Sequence, residues 1–182
     1  MLHIRYHLTE AEYFDFNYYT AWAAPDRRQY RLLYYAKVLL LYAAVAVVYI
    51  FANPEHQWLT DTIVFATIAI IYILLVPALI RRSVRKRVRD ILKRPENRHI
   101  LEACEVILSE AEIIDKDNAS ESRYKWEAIV KKAETPAAWY LYTNSYHAIV
   151  IPRRALSGDS EEQQLKHLMN TKLSLSSEFP EY

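Results

Sequence analysis

Residues 62–80 read TIVFATIAIIYILLVPALI and contain no charged side chain. A helix rises about 1.5 Å per residue, so a stretch of this length crosses a hydrocarbon core of about 30 Å. Pro77 falls in the last turn, where membrane helices tolerate a bend. These residues therefore predict a transmembrane helix.

A second apolar stretch, residues 32–52, reads LLYYAKVLLLYAAVAVVYIFA. Its single charge, Lys37, lies near one end, where the long side chain can reach the headgroup layer. A cleaved signal peptide is not expected, because signals start near the N-terminus and some thirty residues precede this stretch. The connection at residues 53–61 is short, so the two spans are predicted to form an antiparallel hairpin.

The flanks of the hairpin determine its predicted orientation. Arg27, Arg28 and Arg31 precede the first span, whereas the connection contains no Lys or Arg. Six cations follow the second span: Arg81, Arg82, Arg85, Lys86, Arg87 and Arg89. By the positive-inside rule both termini are cytoplasmic and the connection faces outward.

Residues 81–94, here called the basic collar, hold eight basic residues and one acid, whereas residues 95–182 hold ten basic and fifteen acidic residues. Cytoplasmic leaflets are anionic, and each nearby Lys or Arg contributes about 1 kcal/mol of attraction. The six cations named above are therefore candidate contacts for anionic lipids. The alternative is that they only determine topology.

The N-terminal segment, residues 1–31, is predicted to hold a strand and a helix. Leu2, Ile4 and Tyr6 alternate with polar residues, as in a half-buried strand. Thr9 and Glu12 fit a capping box at the start of a helix rich in aromatic residues. That helix either lies at the membrane interface or packs on the cytosolic domain.

The rest of the chain predicts a small cytosolic antiparallel sheet of five to seven strands with a C-terminal helix. Residues 100–108, 113–118 and 123–126 read as strands, and residues 138–143 and 148–151 as a hairpin. Residues 161–173 form an amphipathic helical pattern. The fold class is membrane α+β, and the N-terminal strand is a candidate for completing the sheet. The predicted segments are 1–31, the hairpin 32–80, a basic juxtamembrane helix 81–97, a domain 98–176 and a tail 177–182.

Four further cations, Lys131, Lys132, Arg153 and Arg154, lie near predicted strand ends. Together they would present a cationic mouth to phosphate or carboxylate groups of a ligand. The alternative is that they are charges protecting the edge of a surface hairpin.

Other chemistry finds little support in the sequence. The chain contains a single glycine, Gly158. The phosphate loops of Rossmann and P-loop proteins need several glycines and are therefore excluded. His3 and His7 have helical metal-ligand spacing but lie in a predicted strand. Lone Cys104 is expected to be packed, without an internal disulfide. We therefore expect no enzyme activity, no metal and no cofactor.

Two surface properties exclude other ligands. The acidic residues Glu102, Glu105, Glu110 and Glu112 are expected to be a solvated face, because nothing completes a coordination shell. Nucleic-acid binding is not expected either, because the predicted soluble domain is net acidic and its basic residues are dispersed.

Several motifs resemble the YcxB-like family of bacterial membrane proteins. They are Tyr124-Lys125-Trp126-Glu127-Ala128-Ile129, Lys132-Ala133-Glu134-Thr135, Trp139-Tyr140-Leu141-Tyr142 and Ala148-Ile149-Val150-Ile151-Pro152-Arg153-Arg154-Ala155-Leu156. Arg153 and Leu156 replace the family's usual lysine and phenylalanine. The resemblance implies a C-terminal domain of pleckstrin-homology type, which commonly binds lipids or proteins, in a bacterial cytoplasmic (inner) membrane. Fold analogy does not establish function.

Two functional hypotheses follow. In the first, the protein is a non-enzymatic membrane protein whose pleckstrin-homology-like domain binds a protein partner, a second copy, or anionic headgroups. In the second, it is an immunity or accessory subunit whose hairpin docks on a toxin or a larger membrane complex. Small residues Ala43, Ala44 and Ala46 would permit such close helix contact.

Overall fold

A computed structural model describes residues 1–52 and 57–173. The predicted tail at 177–182, the end of the predicted domain at 174–176 and part of the predicted connection at 53–61 lie outside the described residues. The long elements, in chain order, are β1 (Leu2–His7), α1 (Glu10–Tyr18), α2 (Arg28–Ala52), α3 (Trp58–Leu92), β2 (Ala103–Leu108), β3 (Glu112–Lys116), β4 (Glu121–Lys125), β5 (Lys131–Glu134), β6 (Ala138–Tyr142), β7 (Ala148–Pro152) and α4 (Asp159–Lys172).

Helices α2 and α3 are long, apolar and exposed, as expected of the predicted hairpin. They contain 25 and 35 residues, and both are long and apolar enough to cross a membrane. Large apolar side chains project outward along both helices, among them Leu40 and Leu74, which are 75% and 72% exposed. Water-soluble proteins rarely expose apolar surface on this scale.

The two long helices touch along one seam. Ala46 of α2 and Val76 of α3 are buried. The Tyr42 hydroxyl donates a hydrogen bond to the Phe65 carbonyl at 3.1 Å, and the Tyr72 hydroxyl donates to that of Tyr34 at 3.2 Å. In apolar surroundings these hydrogen bonds are favourable, because the hydroxyl groups would otherwise have no partner.

Helix α3 extends without a break through the first part of the basic collar. It ends at Leu92, and a 3-10 turn covers Pro95–Leu101. Proline has no amide hydrogen and disfavours helical geometry in the preceding residue; Arg94 is accordingly extended, with φ −76° and ψ 131°. The juxtamembrane helix predicted at 81–97 is thus a continuation of α3 that ends at Leu92, and the predicted strand at 100–108 begins only at Ala103.

The strands form two antiparallel sheets rather than the single sheet predicted. Sheet A has the order β1-β2-β3-β4 and sheet B the order β5-β6-β7. Between β4 and β5 a 3-10 turn, Trp126–Ala128, interrupts the strand pattern. The buried Trp126 ring lies in the core and its indole N–H donates to the Ser109 carbonyl at 2.9 Å, so the chain turns inward there and the second sheet begins.

Strand β1 completes sheet A from the far side of the hairpin, as the alternation of its side chains suggested. It pairs antiparallel with β2, from Leu2↔Leu108 to His7↔Ala103. Its inward residues Leu2, Ile4 and Tyr6 are buried. The chain must therefore pass through both long helices before β1 and β2 can pair.

The main core lies between the two sheets and α4. Val106, Ile113, Leu141 and Ile151 have no exposed surface. Helix α4 covers them with Leu165, Met169 and Leu173, the helical face predicted from the sequence. The C-terminal helix is thus held by apolar burial across both sheets.

One carboxyl group shares the inner face of sheet A. Asp115 lies two residues after buried Ile113 on β3, so both side chains point to the same face. Burial and, to a smaller extent, the neighbouring Asp117 carboxylate together raise the pKa of Asp115 to about 6. Folding thus disfavours the ionised form of Asp115 relative to the unfolded chain.

Replacing Ile4 tests whether the N-terminal strand is part of the core. Ile4→Ala removes a side chain that is 1% exposed, and buried deletions of this kind cost about 2–5 kcal/mol. We expect a lower midpoint of thermal unfolding in detergent, followed by circular dichroism. His3→Ala, at an exposed position of the same strand, is the control and should leave the midpoint unchanged. Equal effects of the two substitutions would contradict the placement of β1.

Asp115 also predicts a dependence of stability on pH. Its folded pKa of about 6 exceeds the ordinary 3.8, so stability is lost as the pH rises through about 6. Asp115→Asn should therefore stabilise the protein by on the order of 2 kcal/mol at about pH 8 and hardly at all near pH 4. Thermal unfolding at both pH values measures this, with exposed Glu127→Gln as the control. A gain that does not depend on pH would refute the assignment.

Candidate lipid-facing site on helix α3

The cations of the basic collar lie on two different faces of α3. At about 100° per residue, Arg81, Arg85 and Arg89 share a face with buried Val88. Arg82, Lys86 and Arg87 point away from that face. The six predicted lipid contacts therefore divide into two groups of three.

The first group contacts α1. The Arg85 guanidinium lies 4.9 Å from the Phe14 ring centroid, and that of Arg81 lies 5.7 Å from the centroids of Phe14 and Tyr18. Arg89 Nε is 3.8 Å from Glu10 Oε1. These cation–π and ionic contacts hold α1 against α3. This group serves the packing of the protein itself.

Contacts at the start of helix α1 and near its end determine its position. Its N-terminus has the predicted capping box, in which the Glu12 amide donates to Thr9 Oγ1 and the Thr9 amide to Glu12 Oε2. Phe16 packs on the outer face of sheet B, 5.4 Å from the Tyr140 ring and 6.1 Å from the Tyr142 ring. Of the two predicted environments for this aromatic helix, the structure shows packing on the folded domain.

The second group is exposed and uncompensated. Arg82, Lys86 and Arg87 are exposed and have no ion pair or hydrogen bond with any residue of 1–52 or 57–173. Two shallow, open depressions adjoin these residues. One, of about 880 Å³, is lined by Arg82 and Lys86 together with the first-group residues Arg81, Arg85 and Arg89. The other, of about 530 Å³, is lined by Lys86 and Arg87 beside Asp90. This face can receive anionic groups without breaking an existing contact.

The four sheet cations do not form the predicted mouth. Lys131 is 1% exposed; its ammonium lies 2.7 Å from Asp26 Oδ1 and 5.0 Å from the Tyr142 ring centroid. Lys132 donates to Asn170 Oδ1 at 3.0 Å. The ligand-facing placement of Lys131 is therefore wrong, because a buried, paired ammonium is inaccessible to a ligand.

Arg153 and Arg154 tie separate elements together. Arg153 pairs with Glu134 at 2.5 Å and with Glu162 of α4. Arg154 donates two hydrogen bonds to the Glu12 carboxylate, at 2.6 and 2.7 Å. Burial opposes ionisation of Glu12, but hydrogen bonds from Arg154 and Thr9 outweigh it and lower the pKa of this carboxyl.

Nothing in the sequence pointed to the Asp26–Lys131 pair. The two residues are 105 positions apart, and each alone reads as an ordinary surface charge. Beside this pair, the Thr20 and Tyr142 hydroxyls share a hydrogen bond of 2.8 Å. Both contacts join the segment preceding α2 to the start of β5 and the end of β6.

The rejected catalytic candidates lie apart from the collar. His3 and His7 are exposed on the outer face of β1. Cys104 Sγ donates to the Tyr6 carbonyl at 3.4 Å, and burial raises the pKa of this thiol to about 11, so it is protonated at neutral pH. Within residues 1–52 and 57–173, no group of three or more His, Cys, Asp or Glu side chains is arranged to hold a metal ion.

Comparison with known proteins identifies one segment. Residues 108–169, from the end of β2 into α4, match the family model described as YcxB-like protein. No curated protein and no solved structure matches the chain. The matched segment contains all the motifs on which the resemblance was based. The predicted resemblance to the YcxB-like family is therefore confirmed over residues 108–169.

Proposed function

We propose that this chain is a non-enzymatic protein of the bacterial cytoplasmic membrane whose outward α3 cations hold anionic lipid headgroups beside a pleckstrin-homology-like domain. In this proposal α2 and α3 cross the bilayer and both termini are cytoplasmic. The exposed apolar surface of the two helices and the cations flanking them support this orientation.

The proposed domain type has a structural basis. Two small antiparallel sheets pack around one core, and α4 covers both. This architecture is compatible with the pleckstrin-homology-like fold implied by the family resemblance. Fold alone does not assign a ligand, so the proposal depends on the charges that the domain leaves exposed near the bilayer.

The observation that carries the proposal is the unpaired cationic face of Arg82, Lys86 and Arg87. These residues follow the apolar stretch, which ends at Ile80, by two to seven positions, or about 3 to 10 Å along the helix axis. The headgroup layer is about 5 to 7 Å thick on each side of the bilayer. On this scale Arg82 lies within the headgroup layer, and Lys86 and Arg87 lie just beyond it, where their long side chains reach back to lipid phosphates. The other three cations contact α1.

The alternative function is docking of the hairpin on a toxin or a larger membrane complex. Fewer of the small residues of α2 are available for such a contact than the sequence predicted. Ala46 is buried, whereas Ala43 and Ala44 are exposed. A docking surface built from small residues would therefore use those two exposed alanines. The lipid proposal is preferred because its contact residues have no other partner among the described residues.

Neutralising the outward cations should release bound anionic lipid. With about 1 kcal/mol for each cation, the triple variant Arg82→Gln, Lys86→Gln and Arg87→Gln should bind anionic lipid on the order of 100-fold more weakly. Native mass spectrometry of protein extracted from membranes of mixed lipid composition counts the lipids that remain bound. Glutamine is used because charge reversal would also change the topology signal.

The matched control neutralises three exposed cations of sheet A, Lys116, Arg123 and Lys125. It removes the same charge from a surface remote from the collar and should retain lipid as the wild type does. Equal retention by wild type and the collar variant would refute the lipid proposal. A stoichiometric protein that co-purifies with both forms would favour the docking alternative.

A further inference from the structure

The turn between β6 and β7 exposes a large aromatic side chain. Tyr146 is 71% exposed, although the strands on both sides of the turn are almost fully buried. A tyrosine ring has an apolar body and a polar tip, which suits an interface where one end is apolar and the other wet. Its surroundings indicate which interface this is.

The turn is preformed. Asn144 Oδ1 accepts hydrogen bonds from the amides of Tyr146 and His147, both at 2.9 Å. The Thr143 amide donates to the His147 carbonyl at 3.0 Å. An Asx-type turn of this kind restricts the backbone locally. The outward position of Tyr146 is thus determined by the turn itself.

This end of sheet B is fastened to the segment that leads into α2. Tyr142, directly before the turn, shares a hydrogen bond of 2.8 Å with Thr20. Lys131, its partner in register, pairs with Asp26 at 2.7 Å. The Arg27 guanidinium lies 6.0 Å from the Tyr146 ring centroid. Three contacts therefore place the turn beside residues 20–27.

Those residues are themselves close to the first apolar stretch. Arg31, within α2, donates a hydrogen bond to the Ala24 carbonyl at 3.0 Å. Arg27 precedes Leu32, where the stretch begins, by five positions, or about 8 Å of helix. A tyrosine beside Arg27 is therefore within reach of the headgroup layer if α2 spans the membrane.

We infer that the 143–147 turn is a second membrane contact, with Tyr146 inserted in the headgroup layer of the leaflet that the hairpin crosses. The inference rests on the proposed membrane insertion and adds a contact made by the folded domain. Tyrosine is enriched at this depth, and Arg27, Arg28 and Arg31 next to it attract anionic lipids. The domain thereby lies against the bilayer through the loop end of sheet B.

A depth measurement tests the inference on the full chain. An environment-sensitive fluorophore is attached at Ser145→Cys in a Cys104→Ala background, with the protein reconstituted in vesicles of phosphatidylethanolamine and phosphatidylglycerol. Ser145 is exposed and adjacent to Tyr146. Lipids carrying a quencher near the headgroup should remove most of the emission from this probe, and the emission should shift to shorter wavelength than in detergent.

Two further probe positions distinguish a failure of the proposed function from a failure of this inference. Val48→Cys, at a position 68% exposed on α2, reports hairpin insertion through quenchers placed deep in the acyl chains. Asn118→Cys reports the β3–β4 turn, where Asn118 donates to Glu102 at 3.0 Å. Glu102 follows the end of α3 at Leu92, which lies about 18 Å past the apolar stretch along the helix axis. The probe at Asn118→Cys should show no quenching. Absence of quenching at Val48 would overturn the proposed function together with this inference.

Tyr146 itself is tested with the probe at Ser145→Cys retained. Tyr146→Ser should reduce the quenching and the wavelength shift, whereas Tyr146→Trp should preserve both. Quenching at Val48 combined with none at Ser145 would overturn the second contact alone. Quenching at Ser145 that is unchanged in Tyr146→Ser would overturn the role of the tyrosine.

Discussion

The pairing of β1 with β2 constrains the rest of this structure. These neighbours in sheet A are separated in the chain by α1 and both long helices. The residues that pair, such as Ile4 with Val106, bury their side chains in the same core. Because that core is shared, the N-terminal segment, the hairpin and the C-terminal sheets form one folding unit rather than separate domains on a string.

The same constraint determines how the charges are used. With β1 in place, α1 lies against the end of α3 and takes up Arg81, Arg85 and Arg89, while Arg154 reaches back to Glu12. Each of these contacts joins residues distant in sequence. The cations left outside this arrangement are therefore the ones available to lipids in the proposed function.

The buried Asp26–Lys131 pair is the second connection between the domain and the hairpin. Breaking such a pair by removing one partner leaves a buried charge uncompensated, which costs about 3 to 5 kcal/mol. Together with the Thr20–Tyr142 hydrogen bond it fastens sheet B at the start of α2. The domain is thus attached to both helices of the hairpin. Helix α1 contacts the end of α3, and residues 20–27 connect sheet B to the start of α2.

The sequence by itself determined the features that depend on short-range patterns. The two apolar helices, the alternation of β1, the Thr9–Glu12 capping box and the apolar face of α4 were all predicted, because each is encoded within about one element's length. Tertiary structure alone decided the division into two sheets at Trp126, the split of the collar cations between α1 and the surface, and the burial of Lys131. A charged side chain reads the same in a sequence whether its partner is water, a lipid or an aspartate 105 positions away, because burial and pairing are properties of the folded chain.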